Sequence, residues 1–511
     1  METTTERAEI TPTLKDFLNL SRGPKAVPIF LKIPMGTLDP PSVFERVHEG
    51  RDSFLLESVK GTSQIGRYSF VGSRPFRVFE SKHDQIRIRE GLYETLIQGN
   101  PFSELRRLLQ ETPMVRMKGL AFFTGGAVGM IGYDAVHFLE RIPRTARDDL
   151  QIPDLYFLFV DTVVVFDHVE REIILAHVPM LRRRPDAEEE RVRAYNRGAE
   201  QLKALLQRVI TPASKRAAQS DAGPKDFTVA ANMGKEDYME MVRRAKAYIR
   251  AGDIFQANLS QRLTAEIGDL DPFRLYKVLR EINPSPFAAF MDFEGFQLVS
   301  SSPERLMRLH QRIVETRPIA GTRPRGRDAR GDQAMSAELI TNEKERAEHI
   351  MLIDLERNDI GRVCDYGSVS VDEFMALEEY SHVIHIVSNV RGRLHEKKDL
   401  FDLIRAAFPG GTITGVPKVR CMEIIDELES VQRGPYTGSI GYLGFNGDMD
   451  LNIIIRTFVI KDGRAHVQVG AGIVADSDPE REYLETLHKA DALLQALKVL
   501  EDEGGLPAHG G

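Results

Sequence analysis

Residues 315–326, ETRPIAGTRPRG, read as the end of a strand breaking into a loop able to grip an anion. Pro318 and Pro324 exclude helix, Gly321 and Gly326 allow positive φ, and Arg317, Arg323 and Arg325 crowd cationic donors around them. The same segment also suits an exposed basic turn that only aids solvation. What the chain places around this stretch has to separate the two.

With 511 residues the chain exceeds one ordinary core and has room for about two to four domains. Its formal net charge of −8 argues against a nucleic-acid or anionic-membrane partner, so the arginines above are local tools. Two cysteines, Cys364 and Cys421, exclude a disulfide framework and a Cys-rich zinc site, and each reads as a small buried hydrophobe. The first thirty residues lack the basic-then-apolar order of a signal peptide. The most apolar run, 155–169, is cut by Asp161 and rich in β-branched residues, so it reads as two strands and not a membrane span. A cytoplasmic protein is expected.

Residues 27–180 form a β-rich unit of short apolar runs punctuated by Gly, Pro and Asp. Within it FTGGAVGMIGYD, 123–134, lacks the Lys-Ser/Thr of a phosphate loop and reads as tight backbone packing leading into a helix. A charged amphipathic helix follows over 186–210, and then the polar, Pro/Gly-bearing linker 211–226. Helices and strands alternate over 227–501, including a long helix from about 332 to 355, strands around 451–461 and 465–474, and a closing helix from about 479 to 501. The tail 502–511 reads as disordered. The expected fold class is α+β, with layered sheets flanked by helices.

Two helices carry acids one turn apart, Glu345 with Glu348 and Glu482 with Glu485. Facing one another, these pairs would make a hard oxygen site suited to Mg²⁺; left apart, they are solvated helix faces. The second pair follows VGAGIVADSDP, 469–479, where a strand is expected to break at Gly470, Ala471 and Gly472 and expose N–H groups to an anion. In YSHVIHIVSNVRG, 380–392, His382 and His385 would point to opposite faces of a strand. FPGGTITGVPK, 408–418, enters a helix with Pro417 at its first turn.

Seven stretches taken together carry a resemblance: GDIFQANLSQR (252–262), SSPERL (301–306), PIAGTRPRG (318–326), EHIMLIDLERNDIGR (348–362), SHVIHIVS (381–388), GTITGVPK (411–418) and GAGIVADSDPEREYLET (470–486). In this order they resemble the chorismate-binding domain of the anthranilate synthase component I family. The resemblance implies a catalytic part over 227–501 behind a regulatory part over 15–210. It implies Mg²⁺ held by Glu348 and Glu485, with Glu345 and Glu482 binding directly or through water. It makes Gly321, Thr322, Tyr436, Arg456, Gly470, Ala471 and Gly472 a cradle for chorismate, with Arg456 on the enolpyruvyl carboxylate. Glu304 would be the acid near the departing hydroxyl, and His385 with Thr412 would serve pyruvate elimination.

The regulatory part resembles the family's tryptophan-binding segments at LLES, 55–58, and NPSPFAAF, 283–290. That points to Glu57, Ser58, Pro286, Phe287 and Ala288 as inhibitor contacts, with Phe287-Ala288 where the family commonly has Tyr-Met. Two positions distinguish sister enzymes. Ala320 stands where aminodeoxychorismate synthases commonly carry a nucleophilic lysine, and Gln256 where isochorismate and salicylate synthases carry one that activates water. Both favour anthranilate as product. Neither cysteine sits in a glutaminase setting, so a separate glutamine amidotransferase subunit and a hetero-oligomer are implied. The alternatives are an aminodeoxychorismate synthase component and a non-catalytic anion- or effector-binding module.

Overall fold

The apolar run is built as two strands, Leu155–Val160 and Thr162–Asp167, and the chain changes sheets between them at Asp161. Leu155, Phe157 and Phe159 pack into one core, and Tyr156, Leu158 and Val160 into another, as the period of two along a strand requires. Both faces of this strand are buried, which is why its sequence is continuously apolar and not alternating.

A computed structural model of the chain describes residues 9–505 except 24, 60–65, 118, 121, 181–186, 213–226, 327 and 380–382. It contains two sheets of twelve strands each, antiparallel throughout. The centre of the first sheet runs through Ser53–Glu57, Phe287–Phe293, Phe296–Ser302, Thr457–Lys461, Arg464–Ile473 and Gln256–Glu266. The second runs from Ile319–Pro324 at one end through Val383–Arg393, Ile313–Thr316, Arg305–His310, Met449–Asn452, Ser439–Gly444 and Gly126–Ile131. Phe54, Met291 and Leu298 of the first sheet share a core with Val128, Met130 and Ile440 of the second, so the sheets are stacked.

Helices close the outer faces. Pro40–Val47, Glu188–Ile210, Pro272–Ile282 and Pro479–Gly505 bring Phe44, Leu202, Leu279 and Leu493 onto the first sheet, while Pro101–Gln110, Glu343–Gly361 and Leu400–Ala407 bring Leu105, Ile353 and Ile404 onto the second. The result is the expected α+β architecture of layered sheets flanked by helices. Both sheets draw strands from before and after residues 211–226, since Ser53–Glu57 pairs with Phe287–Phe293 and Gly126–Ile131 with Ser439–Gly444. No described helix is long and apolar enough to cross a membrane.

Several expectations are corrected. The segment 315–326 is not a loop: Ile313–Thr316 and Ile319–Pro324 are both strands against Val383–Arg393. The helix expected over 332–355 is two helices, Ala329–Thr341 and Glu343–Gly361, because the Asn342 side chain accepts from the Glu345 N–H at 3.1 Å and caps a new start. The strand Arg464–Ile473 runs unbroken through Gly470, Ala471 and Gly472, held by its ladder with Gln256–Glu266. The stretch 451–461 is interrupted at Arg456, where φ is 50° and the chain passes between sheets. The segment after Asp134 is a 3-10 helix, Tyr133–Phe138, and the last helix continues to Gly505. Most of the expected linker, 213–226, and the end of the expected tail, 506–511, lie outside the described residues.

Gly126 and Gly129 serve packing, as read from the sequence. A Cβ on Gly129 would lie 1.9 Å from the Tyr156 carbonyl oxygen, and one on Gly126 would lie 2.2 Å from that of Leu443. Gly129→Ala is expected to lower the unfolding free energy by about 2 kcal/mol or more, because backbone and not a flexible side chain must yield. Urea denaturation of the two proteins measures it, and an unchanged midpoint would refute the close approach.

Candidate active site

The site is assembled where the two sheets part. Past Val467 the strand Arg464–Ile473 loses its neighbour Thr457–Lys461, because Arg456 turns out of the sheet, so one edge of Gly470–Gly472 is left without a strand. Beside Arg456 lies the Pro303-Glu304 turn, which takes the chain from the first sheet to the second, with the Ser301 N–H donating to the Arg456 carbonyl at 3.1 Å. Strand edges that diverge in this way leave a cleft lined by backbone and by side chains from both sheets.

Glu304 is buried, and burial pushes its carboxyl up to about 7 against the opposing pull of Thr412, the Ile319 N–H and Arg456. The Thr412 hydroxyl faces this carboxyl without reaching hydrogen-bond geometry and has no other partner. Arg456 makes no hydrogen bond or ion pair with the described residues, and burial lowers its pKa in spite of Glu304. A half-buried guanidinium without a partner among the described residues is a ready partner for an anion.

His385, on the strand Val383–Arg393, lies with Nδ1 3.3 Å from the Gly321 carbonyl. Burial, with Arg456 nearby, pushes its pKa down to about 4, so the ring is neutral at ordinary pH. Gly321 is the extra residue of a bulge, since Ala320 faces Ile386 and Thr322 faces His385, and its φ of 67° favours glycine. A Cβ there would lie 2.9 Å from Leu339 Cδ1 and 3.0 Å from Glu345 Oε2. Thr322 thus stands beside His385 through the backbone ladder, while His382 lies outside the described residues.

The glycines of Gly470-Ala471-Gly472 make room for side chains lying across them. A Cβ on Gly470 would meet Asn258 Oδ1 at 2.6 Å and the Tyr436 hydroxyl at 2.7 Å, and one on Gly472 would meet Gln256 Nε2 at 2.6 Å. Ala471 turns its methyl into an apolar cluster with Leu259 and Ile473, so it offers the cleft only backbone. Among the described residues Gln256 Oε1, Asn258 Oδ1 and the Thr412 hydroxyl are buried without a hydrogen-bond partner. Three orphaned polar groups in one cleft suit a polar ligand that completes them.

The four acids approach from two helices. Gln256 Nε2 is 3.4 Å from Glu348 Oε1, and burial together with Glu345 and Glu485 raises the Glu348 pKa. Burial, with Glu485 adding to it, likewise raises Glu482. Glu345 is bridged by Arg323 at 3.1 Å and Glu485 by Lys489 at 2.8 Å. Among the described residues no three acidic, His or Cys side chains enclose an ion by themselves. Carboxylates whose ionisation is opposed by their neighbours nevertheless fit a hard cation, and Mg²⁺ commonly takes one or two of them with waters and substrate oxygens.

The arginines of the opening stretch are committed elsewhere. Arg317 binds Glu373 at 2.6 Å and also Glu378, Arg323 bridges Glu338 and Glu345 at 3.1 Å each, and Arg325 pairs with Asp332. They brace the strand, and Gly321 faces the site. Sequence reading missed the buried pair Glu429–Arg433. Arg433 donates to Glu429 at 2.7 and 2.9 Å, to the Asn258 carbonyl at 2.7 Å and to the Ile413 carbonyl at 3.0 Å, and its guanidinium lies 5.5 Å from the Tyr436 ring centre. The i, i+4 spacing of a carboxylate and an arginine was the only available signal. Also missed was the buried group Glu356, Asp359 and Lys418, in which Lys418 pairs with Asp359 and donates to the Ala407 carbonyl at 3.0 Å.

The expected inhibitor contacts gather at a second place. Ser58, Pro286, Phe287 and Ala288 line a cavity of about 290 Å³ with Tyr68 and Phe122. The Ser58 hydroxyl donates to the Pro286 carbonyl at 3.0 Å, tying the two segments together. Glu57 borders the cavity too, but its carboxylate is taken by Arg280 at 2.7 and 2.8 Å and by the Tyr276 hydroxyl at 2.7 Å.

Comparison with known proteins agrees with this geometry. The chorismate binding enzyme family matches residues 51–495. Anthranilate synthase component 1 of Acetivibrio thermocellus is 44% identical over 95% of this chain and 98% of its own length. Aminodeoxychorismate synthase component 1 of Bacillus subtilis is 42% identical over 90% and 95%. The crystal structure of anthranilate synthase component I from Streptococcus pneumoniae superposes with a TM-score of 0.73 at 35% identity, covering 90% of this chain and 98% of that one. The chain therefore belongs to the chorismate-binding enzymes and is an enzyme of the anthranilate synthase component I type.

Proposed function

We propose that the chain aminates chorismate with ammonia at carbon 2, expels the hydroxyl at carbon 4 and then eliminates pyruvate to release anthranilate, the entry to tryptophan synthesis. The observation that carries this reading is Ala320. It is buried on the strand beside Gly321, where a nucleophilic lysine would mark an aminodeoxychorismate synthase; a methyl group cannot attack and leaves the position to free ammonia. Gln256 is likewise no base at neutral pH, which disfavours water as the nucleophile. The Bacillus relative favours the aminodeoxychorismate reading, and Ala320 stands against it.

Glu304 is the acid for the departing hydroxyl, since its burial keeps it protonated up to about pH 7. Arg456 anchors the enolpyruvyl carboxylate bidentately, and the Gln256 and Asn258 side-chain oxygens, which have no partner among the described residues, offer acceptors for the single hydroxyl of chorismate and for the N–H groups of ammonia. Neutral His385 and Thr412 serve the elimination of pyruvate. Glu348 and Glu485 would hold Mg²⁺, with Glu345 and Glu482 beside them, and the ion would neutralise the ring carboxylate of chorismate.

Burial pushes the Cys364 thiol up to about 11 and the Cys421 thiol up to about 12, the reverse of an activated nucleophile. Ammonia is therefore assigned to a partner glutamine amidotransferase in a hetero-oligomer. The 290 Å³ cavity, with its aromatic walls and the Ser58–Pro286 tie, is assigned to tryptophan as feedback inhibitor.

The chain incubated with chorismate, Mg²⁺ and an ammonium salt is expected to develop anthranilate fluorescence. Glu348→Ala or Glu485→Ala should abolish it together with calorimetric Mg²⁺ binding, and near-normal, metal-independent turnover would reject those ligands. With free ammonia held constant, kcat/KM for chorismate should fall as pH rises through about 7, because the acid loses its proton there. Glu304→Gln should lower the rate by about 10²–10⁴-fold and remove that limb; a retained limb would assign it to another group. Tryptophan should inhibit, and Ser58→Ala should raise the concentration needed. A flat dose–response curve in the parent chain ends the feedback reading.

A further inference from the structure

The turn that carries Glu304 also carries Arg305, and the two residues face different compartments. Glu304 lies against Thr412 and Arg456. The buried Arg305 guanidinium lies 5.1 Å from the Phe287 ring centre and is gripped by the two oxygens of Asp450 at 2.9 and 3.1 Å. Phe287, Arg305 and Asp450 all line the 290 Å³ cavity, so one peptide unit separates a residue of that lining from the acid of the cleft.

Short polar contacts tie the same places together. Ser302 is the ladder partner of Phe287, and its hydroxyl donates to the Ile453 carbonyl at 2.6 Å and accepts from the Glu304 N–H at 3.4 Å. The Ile453 N–H donates to the Glu304 carbonyl at 3.0 Å, and Asn452 donates from its side chain to the Phe287 carbonyl at 3.4 Å. The turn joins Phe296–Ser302 of the first sheet to Arg305–His310 of the second, and pairing opposite Met449–Asn452 shifts register between Arg305 and Met307. A bulge beside a tight turn is a place where a small displacement re-aims a side chain without breaking a ladder.

We propose that Arg305 is a positioning residue that couples the cavity to the cleft: a ligand displacing the Phe287 ring moves the guanidinium stacked on it and turns the Glu304 carboxyl away from the reacting centre. The stacking and the bidentate hold of Asp450 make Arg305 a rigid strut, which a lysine or glutamine would not be. This inference rests on the reading of the cavity as an effector site and of Glu304 as the acid. Because the displacement acts on the acid, the ligand lowers kcat; linkage requires chorismate to weaken ligand binding only by whatever factor the ligand weakens chorismate binding.

The chain has no tryptophan of its own, so binding of free tryptophan to the full chain can be followed by equilibrium dialysis, reading the ligand's indole fluorescence. The same preparations give the inhibition constant for ammonia-dependent anthranilate formation. Arg305→Gln and Ser302→Ala are compared with the parent; Ser302 touches neither the ligand nor the substrate in this account. Ser302→Ala, outside the cavity lining, should keep a dissociation constant within about threefold of the parent while the inhibition constant rises about tenfold or more, inside the roughly 5–150-fold span of allosteric couplings; Arg305→Gln, which alters the lining, should raise the inhibition constant about tenfold or more beyond any rise in the dissociation constant. The two constants rising together would make Arg305 a binding residue only, and neither rising would remove it from the coupling; either result overturns the proposal. A parent chain that binds no tryptophan overturns the effector reading itself, which is a different result from a parent that binds and variants that stay fully inhibited.

Discussion

The buried ion pair of Glu429 and Arg433 is the constraint on which the cleft depends. Their side chains are 4% and 1% exposed, so each charge needs the other. Arg433 also holds the Asn258 and Ile413 carbonyls, and Glu429 accepts from the Ser260 N–H and hydroxyl at 2.8 and 2.9 Å. One pair thereby fixes the strand that faces Gly470–Gly472, the turn that carries Thr412, and the loop that carries Tyr436. Loss of either partner leaves an uncompensated buried charge, at a cost of about 3–5 kcal/mol, and releases three walls at once.

Around that pair the chemistry follows from desolvation. Glu304 is driven towards its neutral form and His385 is held neutral, while Arg456, which stays charged, is left without a protein anion. An acid, a neutral imidazole and an unpaired cation converge on a space also lined by orphaned amide oxygens. That set matches a dianionic substrate that must lose a hydroxyl under mild conditions, and it owes its properties to the stacking of the two sheets.

Much of this was legible in the sequence because the motifs are short and contiguous. Glu304, Gly321, His385, Thr412 and Arg456, all named from short motifs, lie in one neighbourhood, and the glycines at 126 and 129 pack against backbone as their spacing suggested. Features set by partners distant in the chain were not legible. Arg317 and Arg323 resemble anion ligands until Glu373, Glu378 and Glu338 arrive from other elements to pair with them. Gly470–Gly472 resemble a strand break until the ladder with Gln256–Glu266 carries the strand through them. Glu429 and Arg433 are an ordinary i, i+4 pair until burial makes them indispensable, and Asn342 ends a helix only because its side chain starts the next one.

The central claim is that free ammonia attacks carbon 2 of chorismate in a cleft where Ala320 and Gln256 offer no competing nucleophile. The most direct test supplies chorismate, Mg²⁺ and nitrogen-15 ammonium to the full chain and reads the product by NMR. The account predicts the heavy nitrogen on the ring carbon next to the carboxylate, with one pyruvate released for each anthranilate formed. Heavy nitrogen para to the carboxylate, or a hydroxylated product without nitrogen, would contradict it.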